Sequence, residues 1–275
     1  MVQILYCTMK LAVAGKGGVG KTLIAGTLAR LFAKDNYKVL AIDNDNAMNL
    51  SYTLGYEEEK KTEIVPIKEL RTLIEERTTV AGAGPGVYNL NPDVSDIPEK
   101  YTVEGPDGIK LLVLGSIEEP ATGCLCPENA IIKTLLYNLL VKRDEVVIVD
   151  FEAGLEHLGR GTAKGIDVLL VIAEPSQKSL DLSAKIIELS KKLGVINIFL
   201  VANKVIDDSQ VEIMNERVQG WEIPLYHVIP HDPEIGKADL KGEAPIDYNM
   251  DSEGLQAIRR LYFKLKKLKE EVIDL

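Results

Sequence analysis

The residues with the clearest chemical purpose lie in one run, Gly15-Lys16-Gly17-Gly18-Val19-Gly20-Lys21-Thr22. Its spacing is G-x-x-x-x-G-K-T, the form of a loop that wraps nucleotide phosphates. The glycines let successive backbone N–H groups turn toward an anion, and the dipole of a following helix adds positive potential there. Lys21 is placed to bridge the β- and γ-phosphates, and the Thr22 hydroxyl to ligate Mg²⁺. Lys16 has no local task, because Lys21 already serves the nearby phosphates. Carboxylates follow at two strand ends. Asp43-Asn44-Asp45-Asn46 closes one strand, although Asp and Asn also cluster in ordinary turns. Val146–Val149 deliver Asp150 to a sheet edge, where it can hold an Mg²⁺-bound water. Gly154, four residues on, can offer its N–H to a γ-phosphate. His157 is read first as a structural hydrogen-bonder, with catalysis or metal binding as the lesser reading.

These groups need a scaffold, and the chain supplies it. Lys10–Ala14 is a short apolar run suited to a buried strand, and Leu23, Ile24, Thr27, Leu28, Leu31 and Phe32 recur at helical spacing behind the loop. Lys38–Asp43, Val87–Leu90, Ile109–Leu114, Glu145–Asp150, Asp167–Ala173, Ile196–Ala202 and Pro224–Ile229 read as further strands. Helices are expected over Pro127–Val141, Gln177–Leu193, Asp207–Val218 and Ser252–Lys269, with a weak helical pattern at Ile67–Arg77. Gly55–Lys61 reads as a charged surface segment and Ala81–Gly86 as a flexible loop, and the stretch between Leu90 and Ile109 as a Pro- and Asp-rich excursion. Strands alternating with helices over short connections predict an α/β fold: one domain spanning 1–275, its mostly parallel central sheet covered by helices on both faces. No repeat or composition shift marks a second domain.

Composition narrows the function. The 275 residues are 46% apolar, enough for one substantial core. A net charge of −10 argues against a nucleic-acid partner, which would need clustered Lys and Arg. No apolar run approaches the ~18 residues of a membrane span, and Val168–Ala173 is the longest clean one. Met1–Thr8 lacks the charged start and long apolar stretch of a signal peptide. Three cysteines make no disulfide framework, so a reduced, cytoplasmic setting is expected.

The extra lysine, in the form Gly-Lys-Gly-Gly-x-Gly-Lys-Thr, resembles the MinD, ParA and nitrogenase-iron-protein group of ATPases. That resemblance implies the P-loop NTPase fold, ATP hydrolysis, and a nucleotide-gated homodimer in which Lys16 reaches the partner's nucleotide. It assigns Asp45 to the attacking water and Asp43 to the neighbourhood of Mg²⁺, although Asn46 stands near where the group often has Pro. It also assigns Asn203, in Ala202-Asn203-Lys204, to the adenine base, its amide supplying donor and acceptor together. Asn after a strand is equally a turn residue. Ile229-Pro230-His231-Asp232-Pro233 could line the base pocket through its backbone. Members of the group tend to begin at the first core strand, so residues 1–8 are an extension, a misplaced start before Met9, or a longer strand.

Cys124 and Cys126 form a Cys-x-Cys, with Pro127 as the first helical residue, so Cys126 falls near the N-cap, where the dipole lowers a thiol pKa. Two thiolates leave Zn²⁺ or Ni²⁺ unsatisfied, whereas a symmetric dimer would supply four. Buried small hydrophobes or a redox pair would also explain them. With Ala153-Gly154-Leu155-Glu156-His157-Leu158-Gly159-Arg160-Gly161-Thr162-Ala163-Lys164, the pair resembles the CooC-type nickel-insertion ATPases. This implies an intersubunit Ni²⁺ or Zn²⁺ site and a client such as carbon monoxide dehydrogenase or acetyl-CoA synthase. A [4Fe–4S] reductase would need two well-separated cysteines, and Cys7 lies in or before the first strand. The alternative is a MinD-like positioning ATPase acting at a membrane. Its motive is Ile258, Leu261, Leu265 and Leu268 interleaved with Arg259, Arg260, Lys264, Lys266, Lys267 and Lys269. The same helix is also the last one expected to cover the sheet.

Overall fold

The computed structural model describes residues 8–45, 47–84, 86–115, 127–143, 145–155 and 158–273. Cys7, Asn46, Cys124, Cys126 and His157 therefore lie outside the described residues, as does the N-terminal segment through residue 7.

Among the described residues, eight strands form one sheet: β1 (Met9–Gly15), β2 (Val39–Asn44), β3 (Val103–Glu104), β4 (Lys110–Val113), β5 (Val146–Phe151), β6 (Val168–Ala173), β7 (Ile198–Val205) and β8 (Leu225–Pro230). Their order is β3-β4-β2-β5-β1-β6-β7-β8. All pairs are parallel except β3 with β4. From β1 the chain lays β2, β3 and β4 on one side, brings β5 back between β2 and β1, and then lays β6, β7 and β8 on the other side, so the strand order reverses at β1. Such a reversal opens a crevice at the carboxyl ends, where open α/β sheets bind ligands.

Both faces of the central strands are apolar because both are covered. Ala12, Ala14, Leu40 and Ile42 face one core with the helices Pro127–Lys142 and Gln177–Leu193. Leu11, Val13 and Ala41 face the other, under the helices Lys21–Lys34 and Glu253–Ile273. In the latter helix Leu255, Ile258, Leu261, Tyr262 and Leu265 are buried against this core. Its apolar stripe therefore covers the sheet. No described helix is long and apolar enough to cross a membrane.

Several expectations need correction. Val87–Leu90 forms no strand: Tyr88 makes a single antiparallel bridge to Thr79, and Val87 and Leu90 stand open to solvent. The run has apolar residues but no core to face and no sheet edge to join. Gly55–Lys61 is only partly a surface segment, since Tyr56 is buried and donates its hydroxyl hydrogen to the Val103 carbonyl. The excursion before β4 holds the short helix Ile97–Tyr101 as well as β3. A helix at Pro233–Lys241 was not expected, although Asp232 caps it and Pro233 sits in its first turn. Asp-Pro-Glu is a legible helix start, an aspartate cap followed by proline in the first turn.

Candidate functional site

The site begins where β1 ends and Lys21–Lys34 begins. Gly15 donates its N–H to the Ala153 carbonyl (2.8 Å), joining the loop to the segment after β5. A Cβ on Gly15 would strike the Ile172 carbonyl, and one on Gly20 would strike the Asn203 amide nitrogen. Gly20 also holds φ +94°, a left-handed conformation that glycine adopts without steric cost. Gly17, Gly18 and Val19 complete the turn, with Val19 fully buried and Gly18 at φ +83°.

The lysines differ in setting. Lys21 is 5% exposed and donates to the Lys16 carbonyl (3.3 Å). Burial lowers its pKa, against the pull of Asp150, Asp45 and Glu152. Lys16 stays partly open, its ammonium 3.7 Å from Glu174 at the carboxyl end of β6. Glu174 was not anticipated from sequence, although its neighbour Ser176 is a recognisable N-cap.

Asp43 and Asp150 are register partners at the ends of β2 and β5, and both are fully buried. Thr22 donates its hydroxyl to Asp150 Oδ2 (2.6 Å), while Asp150 Oδ1 is buried with no hydrogen-bond partner. Burial raises Asp150 to about 7, with the Thr22 bond opposing and Asp43 adding to the rise. Burial likewise raises Asp43 to about 6, against the N–H bonds it accepts from Leu50 and Asp45. Two adjacent carboxyls at a dry sheet edge do not both ionise cheaply. A hydroxyl, an unpartnered carboxylate oxygen and neighbouring acids are oxygen donors of the kind Mg²⁺ takes, so the residues fit that ion. Asp45 is half-buried, and its carboxylate accepts the Ala47 N–H (2.9 Å). Gly154 is buried just beyond Ala153, while Glu152 is exposed.

Beyond the loop a cleft of about 520 Å³ runs from Gly20 past Asn203, Lys204 and Pro230. Asn203 is 3% exposed and donates Nδ2–H to the Val19 carbonyl (2.7 Å), so one of its donors is turned to the loop. Lys204 donates Nζ–H to the Gly18 carbonyl (2.7 Å) from a backbone at φ +60°. The far wall comes from Tyr52 and Thr53, and from Gly242, Glu243 and Pro245. Sequence patterns did not single out these wall residues, because they come from two segments far apart in the chain. Among the described residues, no group of three or more His, Cys, Asp or Glu side chains is arranged to hold a metal ion.

Residues 10–246 match the CobQ/CobB/MinD/ParA nucleotide-binding domain. The chain is also 41% identical to the carbon monoxide dehydrogenase accessory protein CooC of Rhodospirillum rubrum, over 85% of this chain and 88% of that one. The chain belongs to this nucleotide-binding family, on its CooC-type branch. An uncharacterised ATP-binding protein of Methanocaldococcus jannaschii is 40% identical over 95% of this chain and 99% of its own. Among solved structures, a chain of the MinC:MinD cell division protein complex of Aquifex aeolicus superposes with a TM-score of 0.65 at 22% identity, covering 94% and 96% of the two chains. MinD of Pyrococcus horikoshii with Mg-ADP gives 0.64 at 21%, covering 95% and 97%. At such identities the likeness concerns the fold. The family match spans both the glycine-lined loop and the strands that end at the adjoining cleft.

Proposed function

We propose that the protein is an ATP-hydrolysing metallochaperone: a nucleotide-gated homodimer that holds Ni²⁺ or Zn²⁺ between subunits and delivers nickel to carbon monoxide dehydrogenase or a related enzyme. The observation that carries this reading is the 41% identity to CooC along most of both chains, joined to a Cys-x-Cys in this sequence.

In this reading Lys21 and the loop N–H groups hold the phosphates, and Asn203, Lys204 and Pro230 flank the base. Thr22, Asp150 and Asp43 hold Mg²⁺, which when bound offsets the phosphate charge. Asp45 orients the attacking water, and Gly154 meets the γ-phosphate. Lys16 leaves Glu174 to reach the partner's nucleotide, which makes hydrolysis depend on dimerisation. Cys124 and Cys126 from both chains supply four thiolates, a soft set suited to nickel or zinc. A charge of −10 and the covered stripe of the last helix weigh against nucleic acid and membrane as partners.

Metal titration tests the reading. The protein should saturate near one Ni²⁺ or Zn²⁺ per dimer, with affinity that depends on bound ATP and falls in acid as protons compete for sulfur. Cys124→Ser or Cys126→Ser should lower affinity by about 100-fold while leaving ATP binding in place, because half the soft ligands are lost. One metal per monomer, or unchanged binding in the double variant, would reject the shared site.

A further inference from the structure

Among the described residues, the most enclosed charge outside the phosphate site is Arg30, in the third turn of the helix Lys21–Lys34 and 3% exposed. Its guanidinium makes four hydrogen bonds into three different segments. Nε–H goes to Asp107 (2.6 Å) in the turn before β4. One terminal nitrogen donates to the Leu54 carbonyl (2.8 Å) and to Asp247 Oδ2 (2.7 Å). The other donates to Asp247 Oδ1 (2.8 Å), making that pair bidentate. Burying a guanidinium is costly unless its donors are met, so this arrangement holds its partners in one geometry.

Two of the three segments are walls of the nucleotide cleft. Leu54 ends the helix Leu50–Leu54, whose Tyr52 and Thr53 line the cleft. Asp247 lies just after Gly242, Glu243 and Pro245, which also line it. The junction is tight: a Cβ on Gly55 would stand 3.0 Å from the Arg30 nitrogen and 3.1 Å from both Ala244 Cβ and Asp247 Oδ2. Gly26, one turn before Arg30, packs against Thr53 in the same way. Asp107 is different, since its segment does not line the cleft. Arg30 itself touches no cleft surface.

We propose that Arg30 is a positioning residue for the nucleoside end of the nucleotide, holding the 52–54 and 242–247 walls to the phosphate-loop helix through Leu54 and Asp247. The proposal rests on the cleft being the nucleotide site and adds how its distal half is set. Phosphate binding is independent of this clamp, because the loop is anchored by Ala153, Asn203 and Lys204.

The test compares ADP with inorganic pyrophosphate, each with Mg²⁺, by calorimetry on the full chain. Asp247→Asn keeps the fold, since its side chain is half-exposed. It should weaken ADP binding by about tenfold, the order for changes acting through a packed network, with pyrophosphate unaltered within about twofold. Arg30→Lys should behave similarly, because an ammonium cannot reproduce the bidentate fork. Asp107→Asn should lower thermal stability yet leave the ADP-to-pyrophosphate ratio unchanged. An unmoved ratio in Asp247→Asn, or an equal shift in Asp107→Asn, would overturn the positioning role. Wild-type protein binding neither ligand would overturn it together with the nucleotide-site reading beneath it.

Discussion

The two ends of the proposed nucleotide cleft are built by opposite strategies. The loop end is largely contiguous: β1, eight loop residues and the start of one helix supply its backbone and both lysines, with Asp43 and Asp150 added from the ends of β2 and β5. The nucleoside end draws on the ends of β7 and β8 and on the walls around residues 52–53 and 242–245, segments almost two hundred residues apart. Asn203 and Lys204 join the halves, each giving a donor to a loop carbonyl. A contiguous loop depends on its own backbone geometry and on its ties to Ala153, Asn203 and Lys204, so it survives changes in the walls. An assembled base pocket depends on every contact that sets its walls, which makes it the easier half to alter and to tune.

Lys21→Ala should give the largest effect, a loss of about 100-fold for both ADP and pyrophosphate, as expected when one partner of a buried charge pair is removed. Calorimetry would show it, and a loss confined to ADP would break the division into two ends. Asn203→Ala should cost about tenfold for ADP and less for pyrophosphate, since a buried loop carbonyl loses its donor while the base loses a neighbour. Equal losses for the two ligands would place Asn203 wholly with the phosphate end. Lys204→Met keeps the aliphatic stem and removes only the bond to Gly18. It should weaken both ligands by about threefold, the scale of one partly solvated hydrogen bond. A larger fall in ADP alone would move Lys204 to the nucleoside side.

The same division explains what could be read from residues alone. The eight-residue loop, its strand and its helix are legible because phosphate binding needs glycine, lysine and threonine at fixed local spacing. β5 and β6 are legible as apolar runs, since buried parallel strands leave no polar face to confuse the pattern. Val87–Leu90 misled because short-range apolar content does not say whether a sheet edge is near. The Lys16–Glu174 pair was invisible because it spans over 150 residues and neither side chain is unusual for a surface.

Sequence by itself therefore determined the glycine-rich loop between strand and helix, the alternation of strands and helices, and the delivery of Asp43 and Asp150 to strand ends. Each follows from interactions among residues close along the chain. Only the tertiary structure decided that those carboxyls are register partners, and that Asn203 and Lys204 reach back to the loop. It also decided that one buried arginine draws two cleft walls to the phosphate-loop helix. Such contacts depend on strand order and on how helices lie across the sheet, and no periodicity within a segment encodes either.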